Sequence, residues 1–324
     1  MRKSMKFWLT ASAALIASGS IMFTVTACSI NWDFKKFNTT NFETITHEIS
    51  DTFQNITVDN ATADLEFLQA TNEKCTIVCY EDVKLTHSVS VENGTLTVKT
   101  QDERKWYDHL SIGSYAPTLT IYLPQIEYSA LSIETTTGDV TIAKEFTFDS
   151  VDISGRTSDI TCFASVKNSL NVKITTGDID LHSLTAGAID LETTTGDIEA
   201  TSVKVENDFT LAVDTGDIEL TDVTCQNFTS TGDTGDLEMK NLLTTGKMTI
   251  TRDTGDVELN ACDATEIYIK TSTGDVEGSL RTTKDFHADS KSGDVKVPHS
   301  SVGGKCEITC SSGDIRITVL DGNN

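Results

Sequence analysis

Three nearly identical stretches recur in the chain: Asp-Thr-Gly-Asp-Ile-Glu-Leu at 214–220, Asp-Thr-Gly-Asp-Leu-Glu-Met at 233–239 and Asp-Thr-Gly-Asp-Val-Glu-Leu at 253–259. The shorter element Thr/Ser-Gly-Asp followed by Val, Ile or Leu recurs with its acid at Asp139, Asp178, Asp197, Asp217, Asp236, Asp256, Asp275, Asp294 and Asp314. Asp159 ends a tenth copy, in which Ser158 replaces the glycine. Successive aspartates are 19 or 20 residues apart. A fixed period near 20 residues is typical of a solenoid.

Each repeat predicts two β-strands. After Gly-Asp, apolar and polar residues alternate, as in Ile218-Glu219-Leu220, so the apolar side chains share one strand face. A polar corner follows, and a second alternating stretch such as 209–213 leads to the next Gly-Asp. We therefore predict an all-β fold: a parallel, β-helix-like solenoid of about ten coils of 19–20 residues.

Stacked coils bring equivalent residues into columns, and two columns are expected in the interior. The first comprises Val140, Ile160, Ile179, Ile198, Ile218, Leu237, Val257, Val276, Val295 and Ile315. The second, interrupted by Gly278, comprises Ile142, Cys162, Leu181, Ala200, Leu220, Met239, Leu259, Val297 and Ile317. One coil has too little apolar surface to fold alone, so its neighbours must complete the core.

An antiparallel meander is the alternative fold, with Thr-Gly as a hairpin turn. The nearly constant step between aspartates counts against it. A meander also needs a second tight turn in every repeat, and no second turn motif recurs at a fixed place. The solenoid accounts for both observations.

The turn residues have different tasks. Gly adopts positive φ without steric penalty, which a sharp corner requires. The Asp carboxylate either accepts a hydrogen bond from a turn N–H or, with its neighbours, binds Ca²⁺. The structural role is favoured, because each repeat carries one Gly-Asp whereas calcium-binding β-rolls carry several. The candidate Ca²⁺ ligands are Asp178, Asp197, Asp217, Asp236, Asp256 and Asp275, and no other cofactor is predicted.

Residues 42–135 also alternate, but without a fixed period, and they predict an irregular β cap on the solenoid. Within this segment, Thr62-Ala63-Asp64 is a degenerate copy of the repeat motif. The loop at 102–109 combines charges of both signs with two aromatic residues, which suits a contact site. Its candidate contact residues are Arg104, Lys105, Trp106 and Tyr107. The favoured alternative is an aromatic plug over the end of the core.

The first 30 residues have the layout of an export signal. Arg2, Lys3 and Lys6 precede a charge-free stretch from 7 to 30, which is long enough to span a bilayer as an uncleaved helix. The end of this stretch, Val25-Thr26-Ala27-Cys28, resembles a bacterial lipobox and predicts lipidation of Cys28. The basic side stays in the cytoplasm. Both forms of anchor therefore place the remaining chain on the extracytoplasmic face of the cell membrane.

The net charge of −24 disfavours nucleic-acid binding, which needs basic clusters. Such a charge is compatible with cations or basic partners. Apart from Cys28, the chain has seven cysteines, at positions 75, 79, 162, 225, 262, 306 and 310. They are expected to be small core residues, with disulfides between neighbouring coils as the alternative. No zinc-binding spacing is recognised among them.

The serial Thr-Gly-Asp-Ile/Val repeat behind an N-terminal anchor resembles the bacterial "putative adhesin" family, a β-strand-repeat domain of unknown function. The resemblance covers residues 45–319, including the loop at 103–108 and Tyr122-Leu123-Pro124. It implies a surface location and a solenoid, but no ligand or activity.

The chain thus divides into an anchor (1–30), a stalk (31–41), the cap (42–135), the repeats (136–319) and a tail (320–324). The expected function is a non-catalytic surface module, adhesin-like or structural, with an unknown extracellular or envelope ligand. Envelope-stress sensing through a membrane partner is one alternative. A polysaccharide-degrading β-helix enzyme is a more distant one, because the six histidines are scattered and no catalytic motif is recognised.

Overall fold

The computed structural model describes residues 41–105 and 116–320 of the chain, and in addition the helical positions Ile16, Gly19, Ser20, Met22, Thr24, Val25 and Cys28. Across these residues, no helix has both the length and the apolar character that a membrane crossing requires. The rest of the described chain is β-structure and turns.

The strands form two long faces, one small face and an antiparallel cap. The strands that follow the Gly-Asp turn make up the short-strand face: β3 (Asp64–Gln69), β7 (Thr118–Leu123), β9 (Val140–Ile142), β11 (Ile160–Cys162), β13 (Ile179–His182), β15 (Ile198–Thr201), β18 (Ile218–Thr221), β21 (Leu237–Lys240), β24 (Val257–Cys262), β26 (Val276–Leu280), β28 (Val295–Lys296) and β30 (Ile315–Val319). The strands that precede the turn make up the long-strand face: β2 (Asn55–Asn60), β6 (Thr95–Asp102), β8 (Glu127–Thr137), β10 (Thr147–Thr157), β12 (Ser165–Thr176), β14 (Thr185–Thr195), β17 (Asp208–Thr215), β20 (Asn227–Thr234), β23 (Lys247–Thr254), β25 (Glu266–Thr273), β27 (Asp285–Ser290) and β29 (Lys305–Ser312). The small face comprises β16 (Lys204–Val205), β19 (Thr224–Cys225) and β22 (Leu243–Thr244), and the cap comprises β1 (Phe42–Ile49), β4 (Cys75–Asp82) and β5 (Leu85–Glu92).

In each long face, neighbouring strands are parallel, and each residue pairs with the equivalent residue of the adjacent coil. Ile198 pairs with Ile218, and Leu237 pairs with Val257, each one coil apart. This confirms the parallel solenoid and excludes the meander. The described residues contribute twelve strands to each face, two more coils than the repeat motif predicts, because β2–β3 and β6–β7 join the stack. Asp64 indeed occupies the position of a repeat aspartate.

Chain order and spatial order differ at both ends of the stack. At the C-terminal end, β26 pairs with β30 and β25 with β29, while β27 and β28 lie outside them. The last coil of the chain is therefore inserted between two earlier coils. At the N-terminal end, β2 lies between β6 and β8 in the same manner. The cap strands then cover the outermost coil, since β4 pairs antiparallel with β7, and β5 with β6.

The two predicted apolar columns form the interior, with two departures at the C-terminal end. Val295 was expected between Val276 and Ile315, but those two residues pair directly and Val295 is 40% exposed on the outermost coil. Val297 is only partly buried. Gly278 pairs with Leu259 and Ile317 and so interrupts the second column as expected, and a register shift beside it brings Leu280 opposite Cys262. The remaining members of both columns are buried.

Candidate functional site

A continuous column of eleven aspartates runs along one edge of the solenoid. In spatial order it contains Asp64, Asp139, Asp159, Asp178, Asp197, Asp217, Asp236, Asp256, Asp275, Asp314 and Asp294. In each step, the backbone N–H of one aspartate donates to Oδ1 of the aspartate in the neighbouring coil. The distances are 2.7–2.8 Å for most of the column, for example 2.7 Å from Asp236 N to Asp217 Oδ1. The turn aspartates therefore join the coils to one another.

The glycine before each aspartate permits this close stacking. Gly235 has φ of +129°, and a Cβ built there would lie 2.0 Å from the carbonyl oxygen of Gly216 in the next coil. Any side chain would therefore push the coils apart. The conformational role predicted for Gly is correct, and the close approach of neighbouring backbones is a second reason for it.

A second column of carboxylates runs parallel to the first on the short-strand face. Its members are paired in register from coil to coil: Asp180, Glu199, Glu219, Glu238, Glu258 and Glu277. On the other side of the turn, the exposed residues Asp214, Asp233 and Asp253 add a short third column. We call these two columns, together with the turn aspartates from Asp178 to Asp275, the acidic face.

The acidic face concentrates like charges at the spacing of parallel strands, about 4.8 Å. At that distance two carboxylates in water repel each other by about 1 kcal/mol. At Asp180, burial raises the pKa of the carboxyl, and the charge of Glu199 raises it further. The second column ends at the inserted last coil, where Arg316 forms ion pairs with Glu277 and Asp314. The acidic face is thus bounded by a basic residue.

The six candidate Ca²⁺ ligands all lie in the aspartate column, one per coil. Their Oδ1 atoms accept hydrogen bonds from the backbone, as the structural role requires. Ca²⁺ binding by the remaining oxygens stays a prediction. Within residues 41–105 and 116–320, a compact group of three or more metal-ligating side chains occurs at Cys79, Glu81 and His87.

The remaining candidate residues are Cys28 and the four residues of the contact loop. Cys28 is helical and exposed. In the contact loop, the Arg104 guanidinium donates to both carboxylate oxygens of Asp102, at 2.9 and 2.8 Å, and Lys105 is exposed. Trp106 and Tyr107 lie outside the described residues. The lipid anchor and the contact site both stay predictions.

The seven other cysteines are buried free thiols. Burial raises the thiol pKa to about 12 at Cys75, Cys79, Cys162 and Cys306, and to about 11 at Cys225 and Cys262. At Cys310 burial also raises the pKa. Thiols in this state are poor nucleophiles, since the thiolate is the reactive form. The expectation of core cysteines is confirmed.

Two shallow depressions lie elsewhere on the surface. On the long-strand face, a trough of about 370 Å³ is lined by both apolar and polar residues, among them Lys173 and Glu192, whose ion pair is 2.7 Å long. Near the cap, a depression of about 310 Å³ is lined by Phe53, Tyr128 and Ile126, the last 50% exposed.

Comparison with known proteins assigns the chain to a family. Residues 53–210 and 204–323 match the family described as Toastrack DUF4097. No curated protein matches significantly. Among solved structures, a "putative lipid binding protein" from Parabacteroides distasonis is 15% identical with a TM-score of 0.52, over 86% of this chain and 98% of that one.

Proteins described as "putative adhesin" are also similar. One from Bacteroides fragilis is 15% identical, with a TM-score of 0.44 over 85% of this chain and 97% of that one. One from Parabacteroides merdae is 12% identical, with a TM-score of 0.48 over 87% and 98%. The family match over residues 53–210 and 204–323 confirms the resemblance seen in the repeat motif, and this chain belongs to the Toastrack DUF4097 family.

Proposed function

We propose that this protein is a non-catalytic binding module, displayed on the extracytoplasmic side of a membrane, whose acidic face binds cationic groups of an envelope or extracellular partner. The observation that carries the proposal is the register of the coils. It holds carboxylates in parallel columns on a rigid scaffold, with their spacing set by backbone hydrogen bonds. A solenoid is suited to such extended surfaces.

A stacked scaffold makes this surface effective. The backbone that carries the carboxylates is ordered before binding, because its strands are held on both edges by parallel pairing, as β21 is by β18 and β24. Little backbone conformational entropy is then lost when a partner binds. The net charge of −24 adds a long-range attraction for cations, which accelerates association and weakens with salt.

The acidic face is tested with a charge-neutralised variant and a control of equal charge. In the variant, Glu219, Glu238 and Glu258 are replaced by Gln. In the control, Asp152, Asp190 and Asp208 of the long-strand face are replaced by Asn. We expect binding of the full-length protein to immobilised poly-lysine to weaken in the first and to be retained in the second. Equal weakening in both would show that net charge alone determines binding and would overturn the proposal.

Display outside the cell is tested separately. Protease added to intact cells should degrade the protein, and an inhibitor of the lipoprotein signal peptidase should slow its migration in gels if Cys28 carries lipid. Protection that persists in spheroplasts and is lost on detergent lysis would exclude the extracytoplasmic location, and unchanged migration would favour the transmembrane anchor.

A second candidate function is binding of an apolar ligand in the depression near the cap. The exposed Ile126 and the aromatic residues Phe53 and Tyr128 favour it, since ligand sites are concave and largely apolar. Displacement of a fluorescent fatty-acid probe, lost on Ile126→Asp, would support this function. Retention of probe binding by the variant would exclude this depression as the site.

A further inference from the structure

A compact group of metal-ligating side chains lies inside the antiparallel cap, apart from the acidic face. Cys79 and Glu81 are alternate residues of β4 and point to the same, inner side of the cap. His87 comes from the inner side of β5, after the tight turn between the two strands. Cys79 is fully buried, and the side chains of Glu81 and His87 are only 1% and 4% exposed.

The three side chains converge on one point. Their ligand atoms all lie within 4.8 Å of one another. His87 Nδ1 is 2.6 Å from Glu81 Oε2, and the other carboxylate oxygen, Oε1, is buried without a hydrogen-bond partner. An unpaired buried carboxylate oxygen is costly. A cation at this point would satisfy it.

The surroundings of His87 orient its ring for ligation through Nδ1. Thr100 Oγ1 donates to the carbonyl oxygen of Asp59 at 3.0 Å and accepts the N–H of Ala61 at 2.9 Å. Because the hydroxyl proton of Thr100 is already donated to Asp59, its Oγ1 can act only as an acceptor toward His87 Nε2, which is 3.4 Å away. Metal binding would therefore keep the ring proton on Nε2 and leave the lone pair of Nδ1 for the ion. Histidine ligands of metal ions are commonly held by such a hydrogen bond on the other ring nitrogen.

We propose that Cys79, Glu81 and His87 bind one transition-metal ion of the Zn²⁺ class. Thiolate, imidazole and carboxylate are the three donor types that Zn²⁺ takes in proteins. Bond lengths of about 2.0–2.3 Å place ligand atoms roughly 3.3–3.7 Å apart in a tetrahedral site. His87 Nδ1 and Glu81 Oε2 therefore move apart by under about 1 Å. In the metal-free protein these two atoms are joined by a hydrogen bond of 2.6 Å, and the ion would displace its proton.

The ion would join two strands of the cap. β4 covers the short-strand face of the outermost coil, and β5 covers its long-strand face. In the parts of the chain that the structure describes, β4 and β5 pair through a single residue pair at the turn, Asp82 with Leu85. Ligands from both strands would hold this seam closed. The site is therefore structural, and metal binding stabilises the N-terminal end of the solenoid.

The proposal is tested on the full-length chain, purified in detergent under reducing conditions and freed of metal with a chelator. Co²⁺, a spectroscopic substitute for Zn²⁺, should produce a thiolate-to-metal charge-transfer band that saturates at one ion per chain. Equimolar Zn²⁺ should abolish this band and raise the melting temperature. If wild-type protein shows neither the band nor the increase, the metal site does not exist.

Matched variants identify the ligands. Cys79→Ser should lose the band, whereas Cys75→Ser should keep it, because Cys75 lies on the same buried side of the same strand. Glu81→Gln and His87→Gln should weaken Co²⁺ binding. Thr100→Val removes the hydrogen-bond partner of Nε2 and should weaken it about 10- to 100-fold. A band that persists in folded Cys79→Ser, or disappears in Cys75→Ser, would assign the metal to other residues.

Discussion

At the scale of single residues, the repeat motif encodes contacts between coils. Gly allows the backbones of neighbouring turns to approach, and Asp supplies the carboxylate oxygen that accepts the next N–H. The sequence predicted the positive φ of Gly and a hydrogen-bonded carboxylate for Asp, but not that both residues act between neighbouring coils. It did not reveal the group of Cys79, Glu81 and His87, because its members share a site only once β4 and β5 face each other in the cap. The alternation of Cys79 and Glu81 on one strand, followed by a turn and His87, is the only signal that the sequence contains.

Two substitutions of Asp236 distinguish the effect on stability of losing its hydrogen-bond acceptor from the effect of losing its charge. Asp236→Ala removes the acceptor for Asp256 N and should lower the free energy of unfolding by about 1–3 kcal/mol. Asp236→Asn keeps an oxygen and relieves repulsion, so its stability should lie close to that of the wild type. Urea unfolding followed by circular dichroism measures both. Asp233→Ala, at an exposed position three residues earlier, is the control, and equal losses in Asp233→Ala and Asp236→Ala would contradict the role of the column.

Alanine substitutions at Gly235 and Gly94 distinguish the cost of backbone strain from the cost of a close contact between coils. Both have positive φ, but a Cβ at Gly94 would meet nothing within 4 Å. Gly94→Ala should cost about 1–2 kcal/mol from backbone strain alone. Gly235→Ala adds the clash with Gly216 O and should cost clearly more in the same unfolding measurement. If the two variants lose equal stability, the stacked turns tolerate a wider spacing than the structure shows.

Asp180 gives the acidic face a dependence on pH. The pKa of its carboxyl is raised above the ordinary value of 3.8, so the folded chain retains the proton longer than the unfolded chain. The resulting stabilisation is present below that value and is lost as the pH rises through the folded pKa. Asp180→Asn should therefore melt at a higher temperature than the wild type at pH 7, with the difference vanishing in acid. Asp190→Asn, exposed on the other face, should show no comparable gain.

At the scale of strands and coils, the period of 19–20 residues was sufficient to predict the parallel register, but not the order of the coils at the ends. Identical motifs permit Val276 to pair with either Val295 or Ile315, and local sequence cannot distinguish these partners. For the same reason, the sequence does not reveal the residues at the corner that follows each short strand. Positive φ occurs at five of these corners, which carry four different residue types: Ser183, Ser202, Asp222, Asn241 and Ala261. Such features follow from stacking between coils.

The inserted last coil should resist opening despite its position near the chain terminus. β29 is paired on both edges, with β25 and β27, whereas β27 pairs only with β29 among the described strands. Hydrogen exchange followed by mass spectrometry should show slower exchange for 305–312 than for 285–290. Protection in exchange reflects local opening, which is easiest at unpaired edges. Faster exchange at 305–312 would indicate that the coils open in chain order from the C-terminus.

At the scale of the whole molecule, twelve stacked coils form a rod roughly 55 Å long, given about 4.8 Å per coil. The repeats align their charged positions along this rod, so the net charge of −24 is concentrated in columns. The folded state therefore carries more self-repulsion than the unfolded chain, in which the same charges are farther apart. Counter-ions should therefore stabilise the folded state. A comparison of different cations distinguishes general screening of the carboxylates from binding at a specific site.

The dependence of the melting temperature on salt tests this expectation. NaCl should raise the melting temperature of the full-length chain, because screening weakens repulsion within the columns. CaCl₂ and MgCl₂ compared at equal ionic strength should then differ little, since the Oδ1 atoms of the turn aspartates already accept backbone N–H groups. A Ca²⁺ site on the folded state would instead add an increase that grows with the logarithm of the Ca²⁺ concentration. If such an increase were specific for Ca²⁺ and lost in Asp236→Asn, the aspartate column would bind cations as well as join the coils.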